Sequence, residues 1–222
     1  MQPYAQTVPA PTKRPLVKII QTSKPGPIQQ VPTDSACFAK LAERGVVFTY
    51  SEPITDEHGC GIAQPVMVST LDDGITLNPV ATLNCETALT LADYTKMMMV
   101  PAAKRYKPDT SITGLAVGAS YVCRTRNSQA GTKISEHGIG NAIDISAIGF
   151  ADGTHMAIAP RERKGSAEEV FQKAIQFGAC QYFTTVLGPG SDAYHDDHLH
   201  FDIAQRRSGY RLCPSPKLAQ SD

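Results

Sequence analysis

Two histidine-bearing segments, far apart in the chain, constrain its fold more than any other feature. The first reads Ser135-Glu136-His137-Gly138-Ile139-Gly140-Asn141-Ala142-Ile143-Asp144, and the second His195-Asp196-Asp197-His198-Leu199-His200-Phe201-Asp202. Four of the six histidines lie in them. Residues two apart on a strand share a face. His198, His200 and Asp202 therefore project one way, and Leu199, Phe201 and Ile203 project into a core. Ile143 and Ile145 alternate with Ala142, Asp144 and Ser146, which places Asp144 opposite the apolar pair. Gly138 and Gly140 allow a tight loop between His137 and Asp144. Two such strands present His137, Asp144 and one or two further histidines to a single point. Neutral imidazole plus one carboxylate is the ligand set of an open zinc site, with one position left for water.

The pattern Ser135-x-His137-x-x-Gly140-x-Ala142-x-Asp144, followed downstream by His198-x-His200, resembles zinc peptidases that cut peptidoglycan stem peptides. These include lysostaphin-type and D-alanyl-D-alanine carboxypeptidase-type enzymes and the penicillin-insensitive murein endopeptidase. The closest resemblance is to the extensin-like C-terminal domain family of bacteria. It is carried by Cys60-Gly61-Ile62, Ser120 to Arg124, Ser135 to Asp144, Leu187 to Gly190 and His198 to Asp202, within roughly Cys37 to Cys213. The resemblance implies that His137, Asp144 and His200 are zinc ligands. It implies that His198 acts as general base or steadies the tetrahedral intermediate, with His195 in the place of a further catalytic histidine. It also implies that Arg124 neutralises the oxyanion, with Arg126 near enough to be confused with it. Ser135 and Arg126 are candidate substrate-binding residues. No Glu-x-x-His arrangement occurs, so no glutamate base is expected, and which histidine takes the proton stays open.

The implied reaction is hydrolysis of an amide in stem-peptide cross-links, with an L,D bond slightly favoured over a D,D bond and an endopeptidase over a carboxypeptidase. Zinc would polarise a water and the scissile carbonyl, and His198 would take the proton and return it to the leaving amine. Asp202 or Asp197 is placed to hold an imidazole N–H. Asp196 and Asp197 read equally well as a solvated turn, Arg124 as a structural ion pair, and His58 and His155 as ordinary surface or loop histidines. A structural zinc is the poorer reading, because structural sites are closed by four protein ligands, often thiolates, and no Cys-x-x-Cys occurs. The rival function is a non-catalytic zinc-containing module that binds peptidoglycan or a protein of the cell envelope.

Lysine plus arginine equals aspartate plus glutamate at 21 each, which leaves no basic excess for nucleic acid. No run of roughly eighteen apolar residues is present, so no membrane span is expected. The six cysteines, Cys37, Cys60, Cys85, Cys123, Cys180 and Cys213, predict three disulfides and an oxidising compartment. Sequential pairing (37–60, 85–123, 180–213) would clip neighbouring elements. Residues 1–33 are proline-rich, lack an apolar signal core and read as a flexible linker. An export signal or anchor is therefore expected upstream, and the location is the periplasm or cell envelope, with an envelope complex as a conceivable partner.

Residues 34–214 read as one peptidase domain and 215–222 as a tail. Asp34 to Arg44 reads as a helix with Phe38 and Leu41 inward. Asn84 to Tyr106 reads as helix with Leu89, Met97 and Val100 buried, kinked or split at Pro101; the methionines at 97–99 read as core filler. Strands are expected near 65–69, over the alternation from Leu115 to Cys123, and over Phe183 to Leu187, and a polar loop from Asn127 to Lys133. Asp152-Gly153 reads as a hairpin turn, and Ser166-x-x-Glu169 as a capping box for a helix to about Gln176. The expected fold is α+β: an antiparallel sheet flanked by helices, stapled by disulfides, with a zinc cleft on the sheet.

Overall fold

Helix α1 (Ser35–Glu43) turns Cys37, Phe38 and Leu41 inward, as its apolar spacing predicts. It belongs to a computed structural model that describes residues 35–56, 59–129, 131–161 and 164–214. The 1–33 linker, the 215–222 tail, Asp34 and His58 of the sequence reading lie outside the described residues. After α1 come strands β1 (Val47–Tyr50), β2 (Ile54–Thr55), β3 (Gly61–Ile62), β4 (Val66–Thr70) and β5 (Thr76–Leu83). Helix α2 (Cys85–Tyr94) starts at Asn84, whose side chain accepts from the Thr87 N–H at 2.8 Å and so satisfies an otherwise orphaned donor. A π-helical turn (Thr95–Met99) leads into α3 (Val100–Tyr106), and Pro101 sits in the first turn of α3, where its missing N–H is tolerated. Then follow β6 (Ile112–Ala119), β7 (Ala142–Phe150), β8 (His155–Ala157), α4 (Ala167–Gly178), β9 (Thr185–Leu187) and β10 (Leu199–Asp202).

The main sheet runs β1-β4-β5-β6-β7-β10-β9, and β8 pairs with the second half of β7. It is mixed, not wholly antiparallel: β5 and β6 run parallel, with Leu77 opposite Leu115. Parallel neighbours need a long crossover, and the helical stretch from α2 to α3 supplies it. The β7–β8 hairpin turns at Asp152-Gly153 with Gly153 at φ 80°, as expected. Ser166 caps α4 by accepting from the Glu169 N–H at 3.2 Å. The helices cover one face of the sheet. There Tyr94 stands edge-on to Phe201 and Phe183 at 5.2 and 5.6 Å and donates its hydroxyl to the Ile175 carbonyl. Each of these fully buried large side chains contributes about 1.5–3 kcal/mol. Phe201 and Ile143 pair across β10 and β7 within this core.

Two further expectations need correction. Met97 is exposed (63 %), Leu89 and Val100 are only partly buried, and Met99 takes the core position. The wide π turn shifts the helix phase, so the inward position after Tyr94 falls at Met99 and not one α-helical turn on at Met97. The disulfides join Cys37 to Cys85 and Cys60 to Cys123, and only Cys180–Cys213 follows the sequential scheme. Packing of α1 on α2 brings Cys37 to the start of α2, with Cα atoms 6.2 Å apart. Three disulfides fit an oxidising compartment. No helix among the described residues is long and apolar enough to cross a membrane.

Candidate metal centre

β10 lies antiparallel to β7 with His200 directly opposite Asp144. Leu199 and Phe201 occupy the helix-facing side, so His200, Asp202 and Asp144 point to the other. His137 arrives from a 3-10 turn (Glu136–Ile139) capped by Ser135, whose Oγ accepts from the His137 N–H, and ended by Gly140 at φ 70°. His137, Asp144 and His200 are all buried, and one ligand atom from each lies within 4.8 Å of the others.

Hydrogen bonds decide which nitrogen of each imidazole faces that point. His137 Nδ1–H donates to the Ser120 carbonyl at 2.7 Å, which leaves Nε2 as a lone pair. That Nε2 lies 3.2 Å from both His200 Nδ1 and Asp144 Oδ1. His200 Nε2 lies 3.2 Å from Asp202 Oδ2, and its Nδ1 lies 2.8 Å from Asp144 Oδ1. With both outer nitrogens protonated toward their acceptors, three lone pairs converge, and only a cation satisfies them. Without a metal, that cation is a proton. Burial alone would lower the His200 imidazole, but its hydrogen bonds to Asp144 and Asp202 outweigh it and push it up to about 9. Burial alone would raise the Asp144 carboxyl, but the His137 and His200 imidazoles beside it hold it well below the usual carboxylate range.

Two more histidines border the cluster, each with one nitrogen held. His198 Nδ1–H donates to Asp197 at 2.7 Å, which keeps that carboxyl low, and His198 Nε2 stands 3.8 Å from Asp144 Oδ2. His195 Nδ1–H donates to Asp192 at 2.6 Å, and its ring centre lies 5.6 Å from that of His200. The Arg124 carbonyl accepts from the Ser135 N–H at 2.9 Å, while the half-buried Arg124 guanidinium has no partner among the described residues. Arg126 pairs with Glu136 at 3.3 Å, and Ser135 is buried at its cap. His155 is an exposed residue of β8.

The family model of the extensin-like protein C-terminus matches the chain over residues 35–214. The chain belongs to this family. No curated protein and no solved structure matches it. Within this extensin-like domain the sequence reading did not single out the Ser120 carbonyl as the partner of His137, nor Asp192, nor Asn84. Asn84 donates to Asn141, whose own amide donates to Glu136 at 2.9 Å, tying the start of α2 to the turn of His137. Only the polar residue three before His195 hinted at Asp192. A second grouping, Asp56 with Cys60 and Cys123, has both sulfurs tied in a disulfide, so neither is a thiolate ligand. A separate groove of about 930 Å³ runs between α4 and the Gly188–Asp196 loop and shares no residue with the cluster.

Proposed function

We propose that the chain is a zinc-dependent peptidase that hydrolyses an amide in peptidoglycan stem-peptide cross-links. The observation that carries this reading is the buried convergence of His137 Nε2, His200 Nδ1 and Asp144 Oδ1, with His198 alongside. Two imidazoles with fixed tautomers and one carboxylate fit a divalent zinc ion held by three protein ligands. When bound, zinc supplies Lewis acidity, which lowers the pKa of a water and polarises a carbonyl. Asp202 and the Ser120 carbonyl hold the ligand rings in place.

His198 is the general base in this reading. Asp197 holds its Nδ1–H, so Nε2 is free to take a proton from water as the oxygen attacks the carbonyl carbon. The same nitrogen returns that proton to the departing amine as the C–N bond breaks. Water is thereby divided between the two products. Asp192 orients His195 beside it as a second imidazole next to the reacting groups. The Arg124 guanidinium, with no partner among the described residues, is the candidate to meet the negative charge on the carbonyl oxygen. The relation to zinc peptidases, the preference for an L,D cross-link and the periplasmic or envelope location come from the motif resemblance and belong to the same proposal.

The test is digestion of purified muropeptides, read by mass spectrometry, with zinc, with chelator, and with zinc restored. Cleavage that vanishes on chelation and returns with zinc supports the peptidase, and the product masses identify the bond. Intact muropeptides of every linkage, with zinc bound at one equivalent, would instead assign a binding module.

A further inference from the structure

The turn that carries His137 is only four residues long, and two chain segments hold it from opposite sides. On one side lies Ser120 to Arg124, whose Ser120 and Arg124 carbonyls accept from His137 Nδ1 and the Ser135 N–H. On the other lies Cys60 to Ile62. A Cβ on Gly138 would stand 2.8 Å from Cys60 Sγ, and one on Gly140 would stand 2.5 Å from Ile62 Cδ1, so both contacts are already close. The Cys60–Cys123 disulfide joins the two segments, with Cα atoms 5.6 Å apart.

We propose that the Cys60–Cys123 crosslink is the positioning element for His137, so that the cluster reaches full metal affinity only after these two thiols are oxidised. The reason lies in how little strand pairing holds the Cys60 segment among the described residues. Among the described residues β3 pairs only with β2, in a two-residue, two-stranded sheet outside the main sheet. Such a pair is marginal without further support. The disulfide ties it to the segment following β6, a central strand of the main sheet, and presses the buried Cys60 sulfur onto Gly138. Cys37–Cys85 links α1 to α2, and Cys180–Cys213 links the end of α4 to the last described residues. Neither sulfur pair stands against Gly138 as Cys60 does, although Cys85 follows Asn84, which binds the turn of His137 through the Gly140 carbonyl. The crosslink forms by exchange with an external disulfide, which takes up the two electrons and two protons that the thiols lose. The site would thus gain its grip on metal where such an oxidant is present.

This inference rests on the reading that His137, Asp144 and His200 hold a divalent ion. Zinc is titrated into the metal-free, oxidised chain against a chromophoric chelator, with circular dichroism to report folding. Alanine replaces cysteine so that no free thiol offers a ligand of its own. Cys60→Ala/Cys123→Ala is expected to weaken zinc binding by roughly tenfold or more, the usual cost of losing outer support for a ligand. Gly138→Ala, whose Cβ would meet Cys60 Sγ and Ile134 Cγ2 at 2.8 Å each and so push the turn off both while the disulfide stays intact by mass, is expected to do the same. Cys180→Ala/Cys213→Ala, whose bond lies away from the turn of His137, keeps the wild-type zinc affinity. A folded Cys60→Ala/Cys123→Ala protein with wild-type zinc affinity overturns the inference. If that variant does not fold, unchanged affinity in Gly138→Ala overturns it instead. A wild-type chain that binds no zinc overturns the metal reading itself, whatever the variants do.

Discussion

His200 on β10 and Asp144 on β7 are direct cross-strand partners, and their side chains meet at 2.8 Å on the face turned away from the helices. A one-residue slip between these strands would bring an apolar side chain opposite each. The apolar packing of Phe201 and Ile143 on the helix side therefore also sets the geometry of the cluster. Asp144→Asn tests the pair. It keeps the shape but replaces the anionic carboxylate by a neutral amide, so the charged oxygen facing His200 is lost. We expect a folded protein, by near-UV circular dichroism, whose zinc affinity falls by more than about 100-fold, since a ligand weighs more than its outer partners. One equivalent of zinc at wild-type affinity would rule out Asp144 as a ligand.

On the zinc reading proposed above, proton and metal compete for the same lone pair. In the metal-free protein the His200 imidazole is pushed up to about 9 from an ordinary 6.5. A raised pKa in the folded state stabilises the fold fully below the unfolded value, and that stabilisation fades as pH rises from about 6.5 through about 9. Zinc must displace this proton, so its apparent affinity is expected to rise roughly tenfold per pH unit over the same window and then level off. Calorimetry in two buffers of different ionisation enthalpy should count one proton released per zinc at neutral pH. No release, or affinity flat between pH 6.5 and 9, would contradict the arrangement.

His198 is separable from metal holding. Its Nε2 is 3.8 Å from Asp144 Oδ2, too far for a hydrogen bond, and its Nδ1 is held by Asp197. His198→Gln is expected to keep one zinc while lowering the rate of muropeptide cleavage by about 10²- to 10⁴-fold, the span of general-base catalysis. Asp197→Asn, which replaces a carboxylate acceptor on a largely exposed side chain, should cost about tenfold or less. Loss of zinc in His198→Gln would make this residue a ligand and not the base.

Much of the cluster could be read from the chain because strand alternation is local. The period of two through Leu199, His200, Phe201 and Asp202 places His200 on the side of the cluster and Leu199 and Phe201 in the core, as the structure has them. The glycines after His137 mark a close turn, and Gly140 does adopt a left-handed conformation. What the chain concealed depends on contacts between distant segments. The disulfide partner of Cys37 is set by how α1 lies on α2, and the acceptor for His137 is a backbone carbonyl at Ser120, which any residue could supply. The parallel step from β5 to β6 leaves no local mark either, since either strand alone would read the same in an antiparallel sheet. Met97 was misplaced because one π turn shifts the helix phase that a regular period assumes.

Gly140 joins the fold to the cluster most tightly. Its φ of 70° lies in the left-handed region, which costs an L-residue about 1–2 kcal/mol. A Cβ there would also come within 2.7 Å of the Asn84 backbone nitrogen, and that nitrogen donates to the Gly140 carbonyl at 3.0 Å. Backbone on both sides cannot yield as a flexible side chain would. Gly140→Ala is therefore expected to destabilise by more than about 2 kcal/mol in urea unfolding and to weaken zinc binding together with it, because the same bond fixes the turn of His137 to the start of α2. A Gly140→Ala protein with wild-type stability would show that the turn is not held against α2 as described. One with lost stability but intact zinc affinity would show that the turn keeps His137 in place without it.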